Sequence, residues 1–144
     1  MIGIVNYGMG NLASVQNALD HLNIPNRVIC APAELRDCRR VIIPGVGAFA
    51  EAMRQLSENG FTEELQEFAL HRQQPVLGIC LGMQLMLESS VEHGIHKGLG
   101  LVRGTVEAFS GKVERLVVPH VGWNELSCSH ESTLLKDIDS PARV

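Results

Sequence analysis

Aromatic side chains are scarce: one tryptophan, one tyrosine and four phenylalanines in 144 residues. A surface that stacks nucleic-acid bases needs more of them, together with clustered basic charge. Here 12 lysines and arginines stand against 16 aspartates and glutamates, a formal charge of −4, with no basic run. DNA, RNA and anionic lipid are therefore not the expected partners. No apolar stretch approaches the ~20 residues needed to span a bilayer. Met1-Ile2-Gly3-Ile4-Val5 lacks the basic start and cleavage site of a signal peptide and reads as a first strand, so a cytoplasmic protein is expected. The four cysteines, Cys30, Cys38, Cys80 and Cys128, form neither a C-x-x-C pair nor a dense disulfide framework. Free thiols are the expectation, and nothing signals a metal or an organic cofactor.

What is present suits one domain over residues 1–144, because 45% of the residues are apolar and can fill a core. Met1–Asn6 reads as a buried strand ahead of Gly8 and Gly10. Leu12, Val15, Leu19 and Leu22 recur at helical spacing, Ala18 joins their face, Asn11 stands at the N-cap, and Pro25 lies past the end. Arg27–Cys30 and Val41–Ile43 read as further strands, the latter ended by Pro44-Gly45. Ala50, Met53 and Leu56 suggest a helix closed by Asn59-Gly60, and Phe61, Leu65 and Phe68 suggest another. Val76–Ile79 is a fourth strand that runs into an apolar helix over Leu81–Leu87. Beyond Glu88, glycines punctuate short apolar pieces, with strands expected at Leu116–Pro119 and near Leu126. Strands alternating with helices predict an α/β fold: a mostly parallel sheet covered on both faces, doubly wound and flavodoxin-like. In such sheets function gathers at the C-terminal strand ends.

The sharpest signal lies at one of those ends, in Gly78-Ile79-Cys80-Leu81-Gly82. It is the thiol form of a nucleophile elbow, in which a tight strand-to-helix turn pushes one side chain into the cleft. Glycines on either side relieve the crowding. A cysteine at a helix N-terminus is also favoured as thiolate, and the Leu81 N–H can stabilise an oxyanion. A cysteine elsewhere is more simply a small hydrophobe, the reading taken for Cys30, Cys38 and Cys128. Pro44-Gly45-Val46-Gly47 follows the third strand, and its backbone N–H groups can complement Leu81, though a plain turn has the same composition. It is not a Walker loop, since no Gly-Lys-Ser/Thr follows. Asn6–Asn11 contains G-x-G but not the dinucleotide fingerprint.

Pro75–Gln84, taken with Asn6–Asn11, Pro44–Gly47 and Pro119-His120-Val121-Gly122-Trp123-Asn124, resembles the class I glutamine amidotransferases. The last stretch resembles most specifically the glutaminase subunits of imidazole glycerol phosphate synthase, and the likeness runs through essentially the whole chain. The resemblance implies that Cys80 attacks the side-chain amide of glutamine, forms a thioester and releases ammonia. It places Gly45, Val46 and Gly47 in the oxyanion strand, where a peptide reorientation completes the hole, and Gln84 against glutamine. It implies a heterodimer with a (β/α)₈-barrel synthase that receives the ammonia. His120, Trp123 and Asn124 match the face toward that partner, and Asn11 is assigned there too. Bland readings stand beside these: Gln84 as an ordinary polar helix residue, and the single tryptophan as a core residue.

The family's base and orienting carboxylate come from a His-Pro-Glu motif, which does not occur in these residues. His21, His71, His93, His96, His120 and His130 match no triad position, and His93 and His96 are read as solvated loop residues. The expectation is an incomplete, C-terminally shortened amidotransferase domain that is nearly inactive alone, with sheet edges and apolar surface laid open. Three readings compete. One is the glutaminase subunit itself. The second is another class I amidotransferase, thiol hydrolase or paralogue feeding a different synthase. The third is a non-catalytic module that only docks.

Overall fold

The computed structural model describes residues 1–109, 122–126, 133–136 and 138. Contacts divide the chain into two compact units, Met1–Ala108 and Phe109–Val144.

The first unit is built on four parallel strands, β1 (Ile2–Val5), β2 (Asn26–Ile29), β3 (Arg40–Gly45) and β4 (Val76–Cys80), in the order β2-β1-β3-β4. This is the flavodoxin-like doubly wound arrangement that the alternating pattern predicts. The strands pair in step, with Gly3 beside Val41 and Ile42 beside Leu77. A second sheet has the order β6-β5-β7, from β5 (Leu87–Ser90), β6 (His96–Lys97) and β7 (Val102–Val106). Its β5–β6 pair is antiparallel and its β5–β7 pair is parallel.

Helix α1 (Leu12–His21) begins where Asn11 caps it, its side-chain oxygen accepting the Ser14 N–H at 3.2 Å. Leu19 is buried and Leu12 and Val15 pack beside it against Ile4 and Ile42. Leu22, expected on the same face, is exposed because it lies at the C-cap beyond the last full turn, and Ala18 is exposed as well. Helix α2 (Phe49–Glu58) ends at Asn59, followed by Gly60 at φ +73°, the left-handed residue that the Asn-Gly pair announced. Helix α3 (Phe61–Gln66) widens into a π turn at Glu67–His71, yet keeps Phe61, Leu65 and Phe68 buried.

Helices α2 and α3 cover one face of the sheet, and α1 packs on the other. Val5, Ile29, Val41 and Ile43 meet Phe49, Ala52, Leu56, Phe61, Leu65 and Phe68 in a continuous core. Full burial of each large apolar side chain contributes roughly 1.5–3 kcal/mol. The opposite face is covered less evenly than expected. It continues from Ile42 onto β4 as Leu77 and Ile79, which are 41% and 40% exposed. Among the described residues, β4 is the edge of its sheet and no helix shields that side of it.

The apolar helix expected over Leu81–Leu87 is shorter. Helix α4 spans Leu81–Leu85, and the chain enters β5 at Leu87. Pairing with β7 draws Leu87–Ser90 into the second sheet. The expected strand at Leu116–Pro119 lies outside the described residues.

Candidate active site

The β4–α4 turn sets Cys80 at φ +55° and ψ −116°, a conformation that non-glycine residues rarely hold. The side chain is solvent-exposed at the C-terminal end of the sheet. Its neighbours explain how the turn closes. A Cβ on Gly82 would run into the Ile43 carbonyl, and one on Gly78 would meet the Met83 backbone. Both glycines are therefore required by close backbone approach, and the strained residue between them is the cysteine.

The loop after β3 reaches the same point. Gly45 pairs with Cys80 in parallel register, so Gly45-Val46-Gly47 begins beside the Cys80 turn. Gly45 is buried, whereas Val46 and Gly47 are exposed, and Gly47 has φ +104°. A Cβ on Gly45 would lie 2.7 Å from the Gly82 nitrogen and 2.7 Å from the Tyr7 hydroxyl. Leu81 opens α4, where the first N–H groups have no intrahelical acceptor. Gln84 follows one turn after Cys80 and is half-buried. With only five residues, α4 carries a smaller aligned dipole than the longer expected helix.

Two side chains hold this loop that local sequence patterns did not single out. Tyr7 donates its hydroxyl to the Pro44 carbonyl at 2.9 Å. Burial, with the nearby Cys80 charge adding to it, pushes the Tyr7 hydroxyl up to about 12, so it remains a donor across the ordinary pH range. Glu92 accepts the Phe49 N–H at 3.3 Å and so caps α2 where the loop ends. Both partners are distant in sequence, by 37 and 43 residues, and leave no short-range signature. The Asn6–Asn11 stretch is a turn: Asn6 accepts the Gly8 N–H at 3.2 Å, and Gly8 takes φ +97°.

The other predicted positions are distributed as follows. Asn11 caps α1. Trp123 is 83% exposed in the second unit. Asn124 is exposed and donates to the Gly122 carbonyl at 3.3 Å. His120 and Cys128 lie outside the described residues. Cys38 is buried as expected, and burial pushes its thiol up. Cys30 is instead exposed and accepts a long contact, 3.7 Å, from the Asn6 amide. His93 is solvated, but His96 is half-buried on β6, where strand pairing with Ser90 holds it. It lines a groove of about 490 Å³ with Met53, Arg54, Thr62 and Gln66, which includes none of the candidate site residues. Among the described residues, no side chain hydrogen-bonds to the Cys80 sulfur, and no cluster of three or more His, Cys, Asp or Glu could hold a metal.

Comparison with known proteins decides the family. The model for class I glutamine amidotransferases matches residues 4–144. The chain belongs to the class I glutamine amidotransferase family. Among curated amidotransferases it is similar to the imidazole glycerol phosphate synthase subunit HisH of Chlorobium luteolum, 46% identical over 96% of this chain and 67% of that protein. It is 48% identical to the HisH subunit of Desulfitobacterium hafniense over 99% of this chain and 65% of that one, and 48% identical to that of Bacillus licheniformis over 94% and 65%. The chain thus spans about two thirds of the length of these relatives. A crystal structure of a glutamine amidotransferase superposes with a TM-score of 0.65 at 22% identity, covering 78% of this chain and 60% of that one. The amidotransferase fold is therefore shared well beyond close sequence similarity.

Proposed function

We propose that the protein of which these residues form part is the glutaminase subunit of an imidazole glycerol phosphate synthase. Cys80 adds to the side-chain amide carbon of glutamine. The amide nitrogen takes up a proton and leaves as ammonia, and water cleaves the thioester to give glutamate and the free thiol. Leu81 and the Gly45-Val46-Gly47 backbone stabilise the oxyanion, and Gln84 contacts the substrate. Asn11, His120, Trp123 and Asn124 face a (β/α)₈-barrel synthase in a cytoplasmic heterodimer, and the ammonia passes to it. Both compact units belong to one amidotransferase domain in this reading. No described helix is long and apolar enough to cross a membrane.

The observation that carries the proposal is the strained Cys80 turn in register with Gly45. Identity of 46–48% to HisH subunits supports that synthase as the recipient of the ammonia. A base and a carboxylate beside Cys80 are still required. The family's His-Pro-Glu does not occur in these 144 residues, so they alone are expected to be inactive.

The test is transfer of label from amide-¹⁵N glutamine by the full-length protein paired with a histidine-pathway barrel synthase. Labelled imidazole product supports the assignment. Glutamate release without labelled product would place the subunit with a different synthase.

A further inference from the structure

In doubly wound sheets the crevice at the topological switch point, here between β1 and β3, is the usual place for a ligand. In this chain that crevice is filled. The Tyr7 ring, 1% exposed, leaves the end of β1 and reaches the end of β3. Direct β1–β3 pairing runs from Ile2–Arg40 to Ile4–Ile42. Two residues further on, the Tyr7 hydroxyl meets the Pro44 carbonyl and continues the connection with a side chain. The candidate chemistry sits one strand pair away, at Gly45 and Cys80.

Tyr7 is itself held at both ends. Its carbonyl accepts the Asn59 side-chain amide at 3.4 Å, at the C-cap of α2, while its hydroxyl donates to Pro44. The loop from Gly45 to Ala48 therefore lies between two tethers, Tyr7 on the Pro44 carbonyl and Glu92 on the Phe49 N–H. Gly45 is packed where even a Cβ would collide with the Tyr7 hydroxyl and the start of α4. Beyond it, Val46, Gly47 and Ala48 are exposed. Freedom to reorient is thus confined to the peptides after Gly45.

The geometry points to Tyr7 as a positioning residue of the amidotransferase site, its hydroxyl fixing the Pro44 carbonyl and so the height of the Gly45–Gly47 backbone against Cys80. The assignment deepens the glutaminase reading and rests on it. Tyr7 acts in this role through the Pro44 carbonyl it hydrogen-bonds, and so through the loop backbone. Its effect is to keep N–H donors at the point where oxyanion charge develops, which matters in the transition state more than in substrate binding.

The experiment is Tyr7→Phe in the full-length protein assembled with its synthase partner, a change that keeps the ring. The expected result is a fall in kcat of about tenfold or more, with KM for glutamine changed less than about twofold. Iodoacetamide should alkylate Cys80 at the wild-type rate, and amide exchange should rise in the peptide containing Pro44–Gly47. Unchanged kcat with unchanged exchange would overturn the assignment. So would equal losses in kcat and alkylation, which would mean that the hydroxyl acts on the thiol or on folding at large. If the wild-type complex releases no glutamate, the glutaminase reading fails, whereas the exchange comparison still decides whether Tyr7 holds the loop.

Discussion

Gly45 and Cys80 are register partners at the last rung between β3 and β4, so the end of one strand delivers a glycine backbone to the side of a thiol on the next. The pairing is possible because neither Gly45 nor Gly82 carries a Cβ where their backbones approach. Cys80 and the Gly45–Gly47 loop are thus parts of one packed corner, and changes to that corner have predictable effects.

Replacing Cys80 separates chemistry from strain. Cys80→Ala should abolish glutamine hydrolysis in the full-length complex. Cys80→Gly should abolish it too, and should raise the melting temperature relative to Cys80→Ala, since relief of the strained backbone returns about 1–3 kcal/mol. Thermal unfolding of the two variants is the check. A glycine variant no more stable than the alanine variant would show that the turn is unstrained.

Gly82→Ala should be severely disruptive, because the new methyl group meets the Ile43 carbonyl, which belongs to a central strand and cannot step aside. A loss of at least about 2–3 kcal/mol is expected, or failure to accumulate in soluble form. Gly100→Ala is a useful contrast: no atom lies within 4 Å of its added methyl, so only the φ of +65° opposes it. Urea unfolding should rank the two variants far apart.

Much of this corner was legible in the sequence because its constraints are local. Gly78 and Gly82 bracket Cys80 within five residues, and each is fixed by a backbone contact a side chain would break. Asn11 was readable as a cap, and Asn59-Gly60 as a helix end, for the same reason. Tyr7 on Pro44 and Glu92 on Phe49 were not legible, since each joins residues that only the folded topology brings together. The end of α4 at Leu85 was missed because pairing of Leu87–Ser90 with β7 overrides the helical character of the preceding run. The alternating pattern led to the expectation of cover on both faces, but could not show how exposed Leu77 and Ile79 are, since that depends on which elements the topology brings beside β4.

Acid should weaken the connection that follows β2. The Glu34 carboxylate accepts the Ala31 and Cys30 N–H groups at 2.9 and 2.8 Å, and those bonds hold its carboxyl below the usual value of 4.5. A carboxyl lowered in the folded state stabilises fully above its unfolded value and loses that contribution as pH falls through the folded one. The stability advantage of wild type over Glu34→Gln should therefore be largest near neutral pH and shrink below about pH 4.5. An advantage independent of pH in chemical denaturation would contradict the assignment.

Trp123 offers a direct probe of docking. As the single tryptophan of these 144 residues, and 83% exposed, it should emit at solvent-like wavelengths without the partner. Emission should shift to the blue when the barrel partner binds, and Trp123→Ala should weaken docking more than it lowers the melting temperature. A variant that docks normally but melts much earlier would return Trp123 to a structural role.

The central claim, that Cys80 is the nucleophile toward the glutamine side chain, is tested most directly by covalent capture. The full-length protein with its synthase partner would be treated with a glutamine-analogue electrophile and mapped by peptide mass spectrometry. The account predicts one adduct, on the peptide carrying Cys80, suppressed by excess glutamine and absent from Cys80→Ala. No adduct, or an adduct on Cys30 that glutamine does not suppress, would contradict it.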